Sequence, residues 1–337
     1  MLKQGSIEER ILNRSVIKHI KKQGSHLVAG AMVGQDFGAH TCSASGGQDM
    51  DGACAASVFV TADGVSADPA LAWTKAMNNF ACSGGFLQGA RVVMMVSPRT
   101  KETAIKRFME TFCALALSDH TYILGGHTQV DVAVIEPRFV VTMFGMAGGY
   151  RPDIQKIGVG CDIVMVDVTA KLGTALITQK KKEELRSRFA ESYIKEMELG
   201  VNGYRVDSYA KLAAGQGAFY MHDISCGGLY GALWQLSVRI GKGIEIFHNQ
   251  IPIRQETIEL CEFYGINPYQ LDGTGGLLVV ISGAETFLES MAKLGVEAAV
   301  IGRVTEDQDK KIQINDTDIR YLTLVSGDEI YKVLDAV

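Results

Sequence analysis

The stretch MHDISCGGLYGALWQLS, residues 221–237, constrains the fold more than any other part of the chain. A short strand-like run ends at Asp223, two residues separate that carboxylate from a Cys-Gly-Gly turn, and an apolar helical run follows. Strand, glycine turn and helix in direct succession make the joint of an α/β architecture. The free N–H groups and dipole of a helix start attract anions. A carboxylate beside such a site makes chemical sense when a divalent cation lies between the two charges. Phosphate plus magnesium is therefore the chemistry the joint suggests.

The rest of the chain is long enough to supply further ligands. Its 337 residues suggest two domains, and 47% hydrophobic against 21% charged residues allow a substantial core. A net charge of −5 argues against a general nucleic-acid or anionic-membrane binder, while leaving room for local basic pockets. The seven cysteines form no C-x-x-C pair, and their odd number in a long chain points to a reducing, cytoplasmic setting rather than a disulfide framework. SIEERILNRSVIKHIKK near the N-terminus is charged and periodic, unlike a signal peptide, and its Ser6…Glu9 spacing is a capping box that starts a helix. Runs such as LLVVI and FVV are too short to span a bilayer.

Residues 24–52 are rich in Gly, Ala, Ser, His and Asp and read as a long glycine-rich loop. ASVFVTADG then reads as a strand ending at Asp63, followed by a helix, the strand ARVVMMVS, a second helix, and the strands TYILGGHTQVD and RFVVTMFGMAG. Interleaved in this way they make one α/β-type domain, residues 1–155. A second domain, 156–337, opens with the strand GCDIVMVD. The charged stretch QKKKEELRSRFAESYIKEMELG reads as a solvated helix. The joint at Asp223, the strands GGLLVVIS and AAVIGRVTE, a closing strand pair KIQINDTDIRYLTL and a last helix complete the order.

No G-x-x-x-x-G-K-[ST] and no strand–G-x-G-x-x-G–helix occurs, so neither a P-loop nor a Rossmann nucleotide site is expected. Carboxylates at strand ends are the better signal: Asp49 and Asp51 close the glycine-rich loop, and Asp63 and Asp223 end strands. A few such oxygens, completed by phosphate and water, hold Mg2+. Asp63 followed by Gly64 also fits a plain turn, and both readings stand at that position. Gly125, Gly126 and His127 form a tight turn between apolar strands, read either as a place where backbone approaches a ligand, with His127 or Thr128 in polar contact, or as a hairpin turn with an incidental histidine. His222 has no partner at metal-ligand spacing and reads as a packed or bridging residue. Cys226 reads as a buried thiol, with a reactive thiol at a helix start as the other option.

In order along the chain, DMDGACAASVFVTADGVSADPALAWTKAMNNFACSGG, ILGGHTQ, GCDIVMVDVTAKLGTALI, MHDISCGGLYGAL and IPIRQETIELCEFYGINPYQLDGTGGLLVVIS resemble the superfamily of aminoimidazole-ribonucleotide (AIR) synthetase (PurM type), the hydrogenase-maturation protein HypE, selenophosphate synthetase and thiamine-monophosphate kinase. The last stretch is most similar to the HypE-type branch. The resemblance implies a two-domain PurM-like α/β (α+β) fold: an N-terminal mixed sheet with helices that forms a homodimer core, and a C-terminal α/β sandwich. It implies ATP bound where the two domains meet, with Mg2+ held on the triphosphate by acidic side chains. Carried over position by position, the metal ligands are Asp51, Asp63 and Asp223, with Asn79 where the family has Asp. The nucleotide contacts are Gly46 and Gly47 in the glycine-rich loop, Asn78, the stretch Gly125, Gly126, His127 and Thr128, and the turn Ser225, Gly227 and Gly228.

The implied activity is phosphoryl transfer from ATP that activates an amide, carbonyl or similar oxygen of a small-molecule or protein-borne substrate. Two departures bear on it. Asn79 and Gln129 replace carboxylates and offer less charge to a cation. The C-terminal cysteine tail of HypE-type proteins is also not matched, the last cysteine being Cys261. A nucleotide-binding scaffold with little turnover and a small-molecule kinase like thiamine-monophosphate kinase are the two other readings the sequence leaves open.

Overall fold

The computed structural model describes residues 9–20, 27–42, 57–198 and 201–334. Ser6, Gly46, Gly47, Asp49 and Asp51 lie outside these. The described chain divides into two compact units, one of residues 27–31 and 35–151, the other of residues 9–20, 32–34 and 152–334. In chain order the elements begin with α1 (Glu9–Ser15), β1 (Leu27–Ala29) and β2 (Gly38–Cys42).

The first unit continues with β3 (Ser57–Ser66), α2 (Pro69–Ala81), β4 (Phe86–Val96), α3 (Glu102–Ser118), β5 (Ile123–Val130) and β6 (Arg138–Met146). Its sheet has the order β1-β2-β3-β6-β4-β5. All neighbours are antiparallel except β4 and β5, the parallel pair that α3 connects. β3 alternates strictly: Val58, Val60, Ala62 and Gly64 are buried, while the residues between them are more exposed. The buried face packs under α2, which starts at Pro69 with Asp68 accepting from the Leu71 amide at 2.9 Å. Trp73, Phe108, Phe112 and Phe139 stack edge and face beneath the two helices, and the Trp73 indole donates to Asp119 at 2.7 Å.

Two expectations change here. The stretch 24–52 contributes β1 and β2, pinned by the buried Phe37 and Ala39, instead of being loop throughout. Asp63 and Gly64 lie inside β3, so neither ends a strand nor makes a turn. Glycine is needed at 64 because α2 crosses directly above. A Cβ there would fall 2.2 Å from the Ala76 amide nitrogen and 2.3 Å from the Ala72 carbonyl.

The second unit holds β7 (Asp162–Val166), α4 (Lys171–Lys180), α5 (Lys182–Leu185), α6 (Glu191–Met197), α7 (Asp207–Gly215), β8 (Tyr220–Ile224), α8 (Gly228–Ile240), β9 (Gly243–Phe247), α9 (Gln255–Tyr264), β10 (Gly276–Ile281), α10 (Glu285–Lys293), β11 (Ala298–Thr305), β12 (Lys310–Gln313), β13 (Ile319–Tyr321) and α11 (Ile330–Leu334), with α1 packed among them. The seven strands run in the order β13-β12-β9-β11-β7-β10-β8. The wholly apolar LLVVI of β10 is buried on both faces between β7 and β8. One core joins β7, β8 and β10 to the Leu229, Leu233 and Leu236 face of α8, and a second gathers α4, α6, α9 and α11 around Ile177, Ile194 and Leu260.

The stretch read as one solvated helix is broken into α5 and α6. Leu185, Ile194 and Met197 are buried, and the break at 186–190 is bridged by Arg186, which pairs with Glu183 and with Glu191. Burial of those three apolar residues turns the segment inward where charge periodicity alone implied a solvent face.

The Gly64 contact gives a direct test. Gly64→Ala is expected to destabilise the protein by about 3 kcal/mol, since rigid backbone faces the added methyl group. Gly149→Ala, with open space at its Cβ position, is expected to be near neutral. Urea unfolding of both variants measures the difference.

Candidate functional site

Asp223 is the fourth residue of β8, buried and paired with Leu277 of β10. The neighbouring His222 is buried with its Nε2 3.0 Å from the Gln235 side chain of α8. After Ile224 the chain turns through Ser225 and Cys226 into Gly227 (φ +88°) and Gly228 (φ +65°), and α8 begins. Both glycines occupy the left-handed region that side chains disfavour. At Gly228 space also forbids a side chain, since a Cβ would lie 2.6 Å from the Leu271 carbonyl and 2.7 Å from that of Tyr269.

The turn is held by a second carboxylate that sequence reading missed. Asp328 Oδ2 accepts from the Gly227 amide at 2.7 Å, and its Oδ1 accepts from the amides of Ile330 at 2.9 Å and Asp272 at 3.2 Å. The Ser225 carbonyl accepts from the amides of Gly228 and Gly273. Asp272 Oδ1 in turn accepts from the amide and hydroxyl of Thr274. One donor of the predicted anion site is thus already matched by the chain's own anion. Burial and the neighbouring Asp272 charge push the Asp328 carboxyl up to about 6, outweighing the three amides that favour its charged form.

A small pocket of about 60 Å³ beside Cys226 and Gly227 meets a more open cleft of about 500 Å³ at Glu9, Trp234 and Leu324. The open cleft is lined by Arg10, Arg14 and Lys18, spaced four residues apart. The Trp234 indole donates to Glu9, and Lys310 Nζ lies 4.6 Å from the Trp234 ring centre. The i, i+4 spacing of the three cations was visible in the sequence and is the signal that finds them.

In the first unit, Asp63 and Asn79 come together. The Asp63 carboxylate accepts from the Thr142 hydroxyl at 2.6 Å, and its backbone carbonyl accepts from the Asn79 side-chain amide at 2.8 Å. Asn78 is wholly buried in α2. The register aligns Asp63 with Thr142, Thr142 with Arg91, and Arg91 with Gly125, so these four positions form one row across the sheet.

The tight turn expected at Gly125–His127 is not found. Gly125, Gly126, His127 and Thr128 lie in the extended edge strand β5, and the chain reverses later, beyond Val130. Gly126 is glycine because a Cβ would fall 1.8 Å from the Val92 carbonyl of β4. His127 Nε2 is 3.3 Å from the Gln129 side-chain oxygen.

Two mixed α/β units, each built on its own sheet, define the class: a PurM-like fold. The chain is similar to the PurM/HypE, AIR-synthase-related superfamily, in sequence over part of the second unit and in fold more widely. The profile "AIR synthase related protein, C-terminal domain" matches residues 159–315. Carbamoyl dehydratase HypE of Azotobacter vinelandii is 30% identical over 130 residues, covering 37% of this chain, and the chain spans 38% of that relative's length. A hydrogenase maturation protein HypE in complex with ATP superposes at TM-score 0.66 with 13% identity over 98% of each chain. A structure of the HypE–HypF complex aligns at TM-score 0.68 with 18% identity, over 79% of this chain and 90% of the other. At these identities the structural likeness establishes the fold. Among the described residues no helix is long and apolar enough to cross a membrane.

Asp328 carries a pH signature. Its carboxyl is near 6 when folded against 3.8 as a free side chain, so between those values the folded state holds more protons than the unfolded state. Stability is therefore expected to fall by roughly 2 kcal/mol as pH rises from 4 to about 6. Asp328→Asn is expected to lose that slope, and also some stability, because an amide cannot accept at both oxygen positions. Chemical denaturation of both proteins from pH 4 to 7 reads the effect.

Proposed function

We propose that this protein is an ATP- and Mg2+-dependent enzyme of the AIR synthetase/HypE type, which activates an amide, carbonyl or similar oxygen of its substrate by phosphoryl transfer. The observation that carries this reading is the buried Asp223 followed directly by the Gly227–Gly228 start of the thirteen-residue α8. The ATP-bound HypE of the same fold supports it. So does the cationic cleft of Arg10, Arg14 and Lys18, which opens toward the same turn.

The donor set suits magnesium. Asp63 has one oxygen on Thr142 and a second to offer. Asn79 commits its amide nitrogen to Asp63 and so offers its oxygen. With Asp223 and Asp51 these are hard oxygen ligands, and Mg2+, when bound, offsets the charge on the transferring phosphate. Gly46, Gly47, Asn78, Gly125, Gly126, His127, Thr128, Ser225, Gly227 and Gly228 belong to the proposed nucleotide contacts. In the reaction, the substrate oxygen forms a bond to the γ-phosphorus while the bond to the β-phosphate oxygen breaks, and ADP leaves with that electron pair. The protein's part is positioning and charge compensation. A cytoplasmic setting, on the scattered cysteines, is part of the same proposal.

The Asp328–Gly227 bond favours one second reading, a nucleotide-binding scaffold with little turnover, because an arriving phosphate meets an amide already engaged. Asp63→Asn and Asp223→Asn separate the two. Each is expected to lower ATP turnover at least about 100-fold and to weaken Mg·ATP binding, read by phosphate release and calorimetry. Unchanged binding in both variants rejects the metal assignment. Binding in the wild type without turnover on any amide substrate selects the scaffold. Phosphate retained on a product identifies a kinase.

We further propose a homodimer formed through the first unit. Leu124 and Val130 on the edge strand β5, with Val132 and Ile135 just beyond it, are exposed, the last at 92%. Leu124→Lys with Val132→Lys is expected to convert a dimer to a monomer in light scattering, without loss of helical circular dichroism.

A further inference from the structure

The second unit carries a cleft that the proposed reaction does not use. It measures about 380 Å³ and is walled by Tyr230 from the first turn of α8, Tyr269 from the 3-10 turn Pro268–Gln270, His248 from the 3-10 turn His248–Gln250, and Arg320 and Tyr321 from the edge strand β13. Three rings form a framework: Tyr230 and Tyr269 stack with centres 5.1 Å apart and planes 14° from parallel, and His248 meets Tyr269 edge-on at 4.9 Å. Such a volume suits one small molecule, and aromatic walls suit a planar one.

The charge is equally specific. Burial holds the Tyr230 phenol up to about 12 and raises that of Tyr269, so both are neutral donors at physiological pH. Burial and the Arg320 charge lower His248, which leaves it neutral there too. Arg320 is then the cation at the cleft, tethered at 3.3 Å to Asp318 by one terminal nitrogen, and a guanidinium presents several donors in a plane.

We infer that this cleft is a second small-molecule site, which takes a planar aromatic or heteroaromatic ligand bearing one carboxylate or phosphate. The ring packs against Tyr269 and Tyr321, and the anionic group pairs with Arg320. The cleft also shares its walls with the glycine turn, because the Tyr269 carbonyl is one of the two atoms that exclude a side chain at Gly228, and Tyr230 follows Gly228 by two residues.

The test uses the full chain with two probes, phenyl phosphate and 2-aminobenzoate, and their uncharged counterparts phenol and aniline. Binding is followed by saturation-transfer NMR and titration in the wild type, Arg320→Ala, Arg320→Lys and Asp223→Asn. At least one anionic probe is expected to bind, about tenfold more tightly than its uncharged counterpart, with a loss of about tenfold in Arg320→Ala, an intermediate loss in Arg320→Lys, and none in Asp223→Asn. Binding that Arg320→Ala leaves unchanged, including binding lost instead in Asp223→Asn, overturns the inference. So does the absence of saturation by either probe up to about 5 mM. The site does not rest on the phosphoryl-transfer reading, so failure of either leaves the other standing.

Discussion

At Gly228 two backbone carbonyls, those of Leu271 and Tyr269, approach so closely that no side chain fits. Much of the second unit follows from this one contact. It fixes where β8 ends, where α8 begins, and where the 268–273 segment must cross the helix start. A residue with a Cβ would push that crossing outward and detach the Gly273 amide from the Ser225 carbonyl, which also caps the turn. The positive φ of both glycines makes the same demand from the backbone side. The two constraints agree, and such agreement of local and long-range requirements is what makes a turn specific.

The helix start so formed is an electrostatic site whether or not a ligand comes. Its Gly227 amide would be an unsatisfied donor in a buried place, and Asp328 answers it from 101 residues away. The arrangement is strained in charge rather than in geometry. Asp328 is buried beside Asp272, and three amides offset only part of the cost of ionising it. A phosphate arriving at Gly227 would therefore gain only the difference between two anionic partners. Its advantage must come from additional cations, and Arg10 and Arg14 of α1, with Lys18 in the 3-10 turn that follows, are cations the unit offers.

The elements were largely legible in the sequence, and the reasons for their glycines were not. LLVVI could only be a buried strand, and Asp223 with the following glycines announced both strand end and helix start. Asp63-Gly64 and Gly125-Gly126 carry the same dipeptide signals as turns, yet both lie within strands. Gly64 answers to α2 and Gly126 to the Val92 carbonyl, contacts that no local pattern encodes. Asp328 left no trace either, because its partners are backbone amides brought to it by the fold. The α5–α6 break was hidden for a related reason: Leu185, Ile194 and Met197 are too few among charges to outvote the surface periodicity, and only the second core shows what they pack against.

Asn79 is where the local and functional arguments meet. In the proposed metal site, position 79 offers an amide where the resemblance implies Asp, which lowers the charge available to a cation. The structure gives that replacement a use that a carboxylate cannot serve, since the Asn79 nitrogen donates to the Asp63 carbonyl. A carboxylate at 79 would set acceptor against acceptor at that carbonyl unless it turned away or held a proton. The amide orientation that satisfies β3 leaves the Asn79 oxygen as the atom free to ligate. Charge is exchanged for a fixed bond between the helix and the strand it crosses, the Asn79 nitrogen on the Asp63 carbonyl.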